Sequence, residues 1–167
     1  MPTVVLTLGD DISTDVIYPG RYMATVLPAE TPQWAFADMT EFNAALLSKQ
    51  IPPGSVIAAG KNFGCGSSRE QAVSALKGHG VTIVAGSFAR IFLQNAINLG
   101  LRLVTAPGFT AGAGDEIRLT QEEAVNMTSG TRFPIVPLPA ARQAIIDAGG
   151  LIPYTRRRLT GPAAAQQ

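Results

Sequence analysis

The segment GKNFGCGSSREQA, residues 60–72, is the part of the sequence that decides the fold. A short apolar run at residues 55–59 precedes it, and a helical pattern begins at Ser67 and continues to about Lys77. Three glycines within residues 60–66 let the backbone turn tightly and approach a ligand closely. A strand, a glycine-rich loop and a helix in this order predict one unit of a parallel α/β sheet.

The residues that follow repeat this order of elements. Residues 81–85 predict a second apolar strand, and residues 101–104 predict a third. Between them Ser87 is placed to cap a second helix, which Gly100 ends. The alternation of strands and helices therefore predicts a parallel sheet with helices packed against it.

The flanking segments add further elements. They are a strand at residues 3–8, a helix at 40–49, two strands joined by a turn at 114–120 and 132–137, and a closing helix at 138–148. The loop after the first strand, GDDISTDVIYPGRY, is anchored to the core by Val16 and Ile17. We expect one domain over residues 1–167, with a frayed tail at residues 161–167.

Composition excludes several classes of protein. The net charge of +1, from 13 basic and 12 acidic residues, predicts no nucleic-acid partner and no anionic membrane surface. No apolar run approaches the ~20 residues of a membrane span, and the N-terminus lacks a secretory pattern, so we expect a cytoplasmic protein. Charged residues are only 15% of the chain, which fits either a surface covered by a partner or a plain Gly- and Ala-rich domain.

Few residues are suited to bind a metal. Cys65 is the only cysteine, which excludes an intrachain disulfide and a cysteine-rich metal or iron–sulfur site held by this chain alone. The single histidine, His79, lies between two glycines and is interpreted as a surface turn residue. We therefore expect no metal site in this chain.

The residues after the glycines carry the chemistry. Ser67 and Ser68 lie where the helix is predicted to begin, and free N–H groups at a helix start favour anions. Arg69 adds a planar guanidinium suited to a carboxylate, so the segment predicts a site for a small carboxylate. The alternative is that Ser67 only caps the helix, with Glu70 closing a capping box. A nucleotide site is disfavoured, because Lys61 stands at the start of the loop and G-x-G-x-x-G spacing is absent.

Two long motifs resemble a known family. NFGCGSSRE with the later GSFARIFLQNAINLGL, and GDDISTDVIYPGRY near the N-terminus, are similar to the swivel domain of the aconitase superfamily. The resemblance covers residues 6–104 in order and spacing, and the short length resembles the separate small subunits of 3-isopropylmalate dehydratase. It implies an α/β fold of the three-layer β/β/α swivel type.

The resemblance also implies an activity shared between two chains. Members dehydrate and rehydrate a hydroxy dicarboxylic acid, here 2- and 3-isopropylmalate in leucine biosynthesis. The large subunit holds a [4Fe-4S] cluster as Lewis acid, and this chain holds no cofactor. Alternatives are a methyl-malate, dimethyl-malate or homoaconitate-type substrate, or a non-catalytic ligand-binding or scaffold domain. We expect the isolated chain to self-associate, because surface meant for its partner would be exposed.

Site residues follow from the motifs by the same resemblance. It makes Ser67 the catalytic base, with Ser68 and Arg69 stabilising its alkoxide. Arg69 also holds a substrate carboxylate. The resemblance places Asp15 at an acidic active-site position that orients its neighbours, and it implies that Thr14 shapes the same loop.

The stretch after Pro19 is where the family reads the variable substituent of the substrate. Several relatives carry Tyr-Leu-Arg where this chain has Tyr22, Met23 and Ala24. The missing arginine favours an apolar substituent such as isopropyl or methyl, although Arg21 lies close by. Gln71 and Gln94 also depart from the family pattern, which usually has histidine and arginine there. These departures leave open a branch with another substrate.

Overall fold

A parallel sheet forms the centre of the computed structural model, which describes residues 1–161. Its four strands are, in spatial order, β1 (Val4–Thr7), β2 (Val56–Ala59), β3 (Thr82–Ala85) and β4 (Leu103–Thr105). Val56 pairs with Val4 on one side and with Thr82 on the other. Because the strand order equals the sequence order, successive right-handed crossovers all pass over the same face of the sheet.

The helices cover that face. They are α1 (Thr14–Ile17), α2 (Thr40–Leu47), α3 (Glu70–Gly78), α4 (Arg90–Leu99), α5 (Ala140–Asp147) and α6 (Leu151–Thr160), with short 3-10 turns at Gly20–Tyr22 and Thr31–Trp34. Ile57 and Ala59 of β2 point into a core shared with buried residues of α3 and α4. No helix within residues 1–161 is long and apolar enough to cross a membrane.

A second, antiparallel sheet covers the other face. Its strands are β5 (Ile117–Leu119), β6 (Glu123–Asn126) and β7 (Arg132–Pro134). Val56 and Ala58 alternate with the helix-facing residues of β2 and pack in a core with Ile117 and Phe133. The expected three-layer β/β/α swivel architecture is confirmed.

Two elements at the C-terminal end were missed. β6 lies in the segment expected to be a turn, and its sequence EAVN has neither a β-branched run nor alternation. It is a strand because it pairs with both neighbours, Ala124 with Leu119 and with Phe133. α6 follows the closing helix, in a segment for which no helix was expected. The expected frayed tail lies, apart from Gly161, outside the described residues.

The starts of two helices and one core contact also differ from the prediction. α3 begins at Glu70 rather than at Ser67, and α4 begins at Arg90. Ser87 does not cap α4: its hydroxyl accepts a hydrogen bond of 2.8 Å from the Asn62 N–H. In the first loop, Ile17 is buried as expected, but Val16 is 39% exposed and anchors nothing.

Candidate functional site

Three loops meet at the carboxyl edge of the parallel sheet, as expected where parallel strands end together. The loop after β2 lies between the other two and bonds to both. Its Gly64 N–H donates to Ile12 O at 2.8 Å, and its Cys65 O accepts from the Thr14 N–H at 2.8 Å. On the other side Phe63 O accepts from the Ala89 N–H at 2.9 Å. The residues after Gly66 are thereby held between the first loop and α4.

Gly64 is a position in this loop where no side chain fits. Its φ of +84° is left-handed, and a Cβ there would lie 2.3 Å from Cγ of Phe92. Phe92 packs edge-on against Phe63, with ring centroids 5.3 Å apart, and stacks on Phe88. The loop therefore packs on a cluster of aromatic rings, which leaves room only for glycine at position 64.

Ser67 and Ser68 lie in the exposed stretch between Gly66 and α3. No side chain caps α3, whose N-cap is Arg69, so the capping-box alternative is wrong. Within residues 1–161 neither hydroxyl takes part in a hydrogen bond. The buried Thr14 instead donates from Oγ1 to the carbonyl oxygen of Ser67 at 2.7 Å. This bond fixes the Ser67 backbone and leaves the hydroxyl free for a ligand.

Arg69 is held in place by the first loop. Its Nη1 donates to Asp15 Oδ1 at 2.6 Å and to Tyr18 O at 3.0 Å, and its side chain is only 16% exposed. Asp15 Oδ1 also accepts from the Gly20 N–H at 2.9 Å. The bond from Arg69, and after it the bond from Gly20, lower the pKa of Asp15 below its ordinary value. Asp15 therefore stays ionised and orients Arg69.

A cleft of about 540 Å³ opens between this loop and α4. Thr14, Ser67, Ser68 and Arg69 line one wall. The other wall is one face of α4, made by Arg90, Ile91, Gln94 and Asn95. Sequence reasoning noted only Gln94, as a departure from the family pattern. The i, i+1, i+4, i+5 spacing of the four residues was the signal that could have identified the face.

Arg21 and Tyr22 lie outside the cleft. Both guanidinium Nη atoms of Arg21 bond to the carboxylate of Asp38, which lowers the pKa of Asp38. The same guanidinium lies 4.6 Å from the centre of the Tyr22 ring, and that ring stacks on Trp34 at 3.9 Å. The ion pair and the stack hold Arg21 over its own loop.

Met23 and Ala24 also lie outside the cleft lining. Met23 is half-buried against the core, and its carbonyl oxygen accepts from Gln71 Nε2 at 3.2 Å. Ala24 is exposed. Tyr18 ties the stretch to the site, because its hydroxyl donates to Tyr22 O at 3.1 Å while its own carbonyl accepts from Arg69.

The donor set of this chain does not fit an iron–sulfur cluster. Among residues 1–161 no three or more His, Cys, Asp or Glu side chains converge on one point. Cys65 is half-buried, and its backbone pairs with Ser13 in the loop junction. One thiolate is too few for a cluster, which takes four protein ligands.

The chain is similar to proteins of known family. Residues 30–107 match the family described as aconitase C-terminal domain. A 3-isopropylmalate dehydratase small subunit of Moorella thermoacetica is 46% identical, over 92% of this chain and 93% of that protein. An isopropylmalate/citramalate isomerase small subunit of Methanocaldococcus jannaschii is 41% identical over 93% of each. The crystal structure of 3-isopropylmalate dehydratase from the same organism superposes with a TM-score of 0.83 at 37% identity, covering 98% of this chain and 97% of that chain.

Proposed function

Since the chain belongs to the family of 3-isopropylmalate dehydratase small subunits, we propose that it is the small subunit of a hydro-lyase that interconverts 2- and 3-isopropylmalate in leucine biosynthesis. It acts in the cytoplasm as one swivel domain, residues 1–167, bound to a large subunit that carries the iron–sulfur cluster. The observation that carries the proposal is the exposed Ser67 hydroxyl beside an arginine that Asp15 holds in position.

Ser67 is the proposed base that takes the proton from the carbon next to a carboxylate. A serine alkoxide is costly near neutral pH, so it needs fixed positive charge and hydrogen-bond donors. Arg69 supplies the charge, and the start of α3 adds the partial charge of its free N–H groups. The Thr14 bond to Ser67 O supports this role, because it restrains the backbone that carries the base.

Arg69 is proposed to hold the carboxylate beside the reacting carbon. Its bonds to Asp15 and Tyr18 both use Nη1. Nε and Nη2 remain as donors for a ligand, and two parallel N–H groups suit a carboxylate. Asp15 is a positioning residue in this scheme, since it acts through Arg69. Ser68 contributes a further hydroxyl donor at the cleft.

The cluster on the large subunit would supply the Lewis acid for the departing hydroxyl. This chain supplies the proton acceptor and the carboxylate contact, so neither subunit alone is expected to be active. A partner over the cleft would also exclude water, which strengthens each electrostatic contact inside.

The substituent of the substrate is proposed to be apolar, because Ala24 offers no charge and Arg21 is paired with Asp38. A second candidate is the methyl-substituted acid citramalate, which the name of the Methanocaldococcus jannaschii relative includes. A homoaconitate-type substrate would need a further cation on this stretch. A scaffold without chemistry is disfavoured by the intact Ser67, Ser68 and Arg69.

The test is co-production with the large subunit under anaerobic conditions, followed by alkene absorbance with isopropylmalate, citramalate, dimethylmalate and malate. We expect turnover by the complex, none by the isolated chain, and none by a complex carrying Ser67→Ala. Ser48→Ala, an exposed serine at the end of α2, is the matched control and should leave activity unchanged. Turnover by the isolated chain, or full activity of Ser67→Ala, would contradict the proposal.

A further inference from the structure

Arg90 is a cation of the cleft that forms no ion pair within residues 1–161. It lies in the first turn of α4, is exposed, and lines the wall opposite Ser67 and Arg69. Within residues 1–161 the ion pairs are Arg21 with Asp38, Arg69 with Asp15 and Arg132 with Glu123, so none involves Arg90. Nothing in the family motifs assigned it a role.

The charge of the cleft favours binding of a second anion. No Asp or Glu is among the residues that line it, and two arginines are. Asp15, just outside the lining, already compensates much of the charge of Arg69. The charge of Arg90 has no such compensation, so the cleft is cationic on the α4 side. Such a wall attracts a carboxylate or a similar anion.

We propose that Arg90 binds the second carboxylate of the dicarboxylic substrate, opposite the carboxylate held by Arg69. The inference rests on the proposed function and extends it to the residue that distinguishes dicarboxylic from monocarboxylic acids. Arg69 is held rigidly and fixes the reacting end. Arg90 is free to adjust on the opposite wall, so the same cleft accepts acids whose carboxylates are differently spaced. Gln94, one turn later on the same face, offers the same carboxylate an amide donor.

The test compares Arg90→Gln and Arg90→Lys in the reconstituted two-subunit enzyme. We expect Arg90→Gln to raise the KM for the dicarboxylic substrate about tenfold or more, the usual weight of a charge-assisted bond, with kcat changed much less. It should weaken competitive inhibition by succinate by a similar factor and leave inhibition by butyrate unchanged. Arg90→Lys should recover much of the affinity. Arg118→Gln, an exposed arginine on β5 in the other layer, is the matched control and should behave as wild type.

The outcomes separate this inference from the proposed function. An active wild-type complex in which Arg90→Gln keeps the wild-type KM and succinate inhibition contradicts the inference alone. Weaker binding of the large subunit with an unchanged KM also contradicts it, and assigns Arg90 to the subunit interface; subunit affinity is measured in the same preparations. A wild-type complex that turns over no hydroxy acid contradicts the proposed function, and the inference with it.

Discussion

Asp15 Oδ1 accepts a hydrogen bond of 2.6 Å from Nη1 of Arg69, which lies 54 positions later in the chain. This contact joins the two motifs that identify the family into one site. The Gly20 N–H and the Tyr18 carbonyl complete a small network around the pair. The orientation of Arg69 is therefore set by the first loop rather than by its own helix.

The pair predicts the titration of Asp15. Its pKa lies below the ordinary 3.8 because the bonds from Arg69 and Gly20 favour the carboxylate. Because the folded-state pKa is the lower one, the stability from this group is fully present above the ordinary value of 3.8 and is lost as the pH falls through the folded-state pKa. We expect Arg69→Gln to raise the Asp15 pKa toward 3.8, measured by NMR of the side-chain carboxyl carbon.

Asp115 provides the control in the same spectra. Its pKa is also lowered, by bonds from Asn126 and from the Gly112 N–H, far from the cleft. Arg69→Gln should leave the pKa of Asp115 unchanged. A change in the pKa of both carboxyls would indicate a general change of fold. An unchanged Asp15 pKa would contradict its pairing with Arg69.

Thr14→Val tests the bond that restrains the proposed base, Ser67. The side chain of Thr14 is 2% exposed, so valine fits the space but cannot donate to Ser67 O. We expect a loss of about 1 kcal/mol in the free energy of unfolding, since the freed carbonyl lies near solvent. In the two-subunit enzyme kcat should fall more than KM rises, because the proposed base, Ser67, loses its position. Thr14→Ser keeps the donor and should retain most of the activity; equal losses in both variants would count against the bond.

Gly64→Ala and Gly54→Ala separate backbone strain from steric clash. Both glycines have left-handed φ, +84° and +88°, but only Gly64 has a neighbour close to the added Cβ. At Gly54 nothing lies within 4 Å, so alanine should cost only about 1–2 kcal/mol of strain. At Gly64 the contact with Phe92 should add roughly 1–3 kcal/mol of overpacking. Urea unfolding measures the loss of unfolding free energy in each variant. Equal losses would contradict the close packing of Gly64 against Phe92.

Ala24→Arg tests the stretch expected to read the substituent. Ala24 is exposed, so an arginine there needs no rearrangement of the core. We expect the two-subunit enzyme to gain activity toward acids with an additional carboxylate and to lose activity toward isopropylmalate. The ratio of the two kcat/KM values should change by about tenfold. Ala24→Gln has similar bulk without charge and should not produce the gain. An unchanged ratio in both variants would show that the stretch around Ala24 does not discriminate between substrate substituents.

Local sequence patterns predicted the centre of the molecule well. The apolar runs of β2 and β3, the glycine loop between β2 and α3, and the end of α4 at Gly100, with φ +79°, all follow from residues a few positions apart. The closeness of Ser67, Ser68 and Arg69 follows as well, because the three residues are consecutive, but the wall that α4 places opposite them required the folded chain.

Other features needed the folded chain. β6 exists only because β5 and β7 lie on both sides of it. Ser67 matched a cap by spacing, yet α3 begins at Glu70 after an extended Arg69, and the Ser67 carbonyl accepts from Thr14 of the first loop. Local spacing describes what a residue is able to do, and contacts between distant segments select among those options.

The sequence by itself determined the fold class and the family, and it named the residues proposed to carry the chemistry, since these depend on motifs and short-range patterns. The tertiary structure alone decided how the charges are shared. Asp15 is paired with Arg69 and Asp38 with Arg21, while no ion pair within residues 1–161 involves Arg90, which faces the cleft. Electrostatic pairing depends on distances in space, and separation along the chain does not reveal those distances.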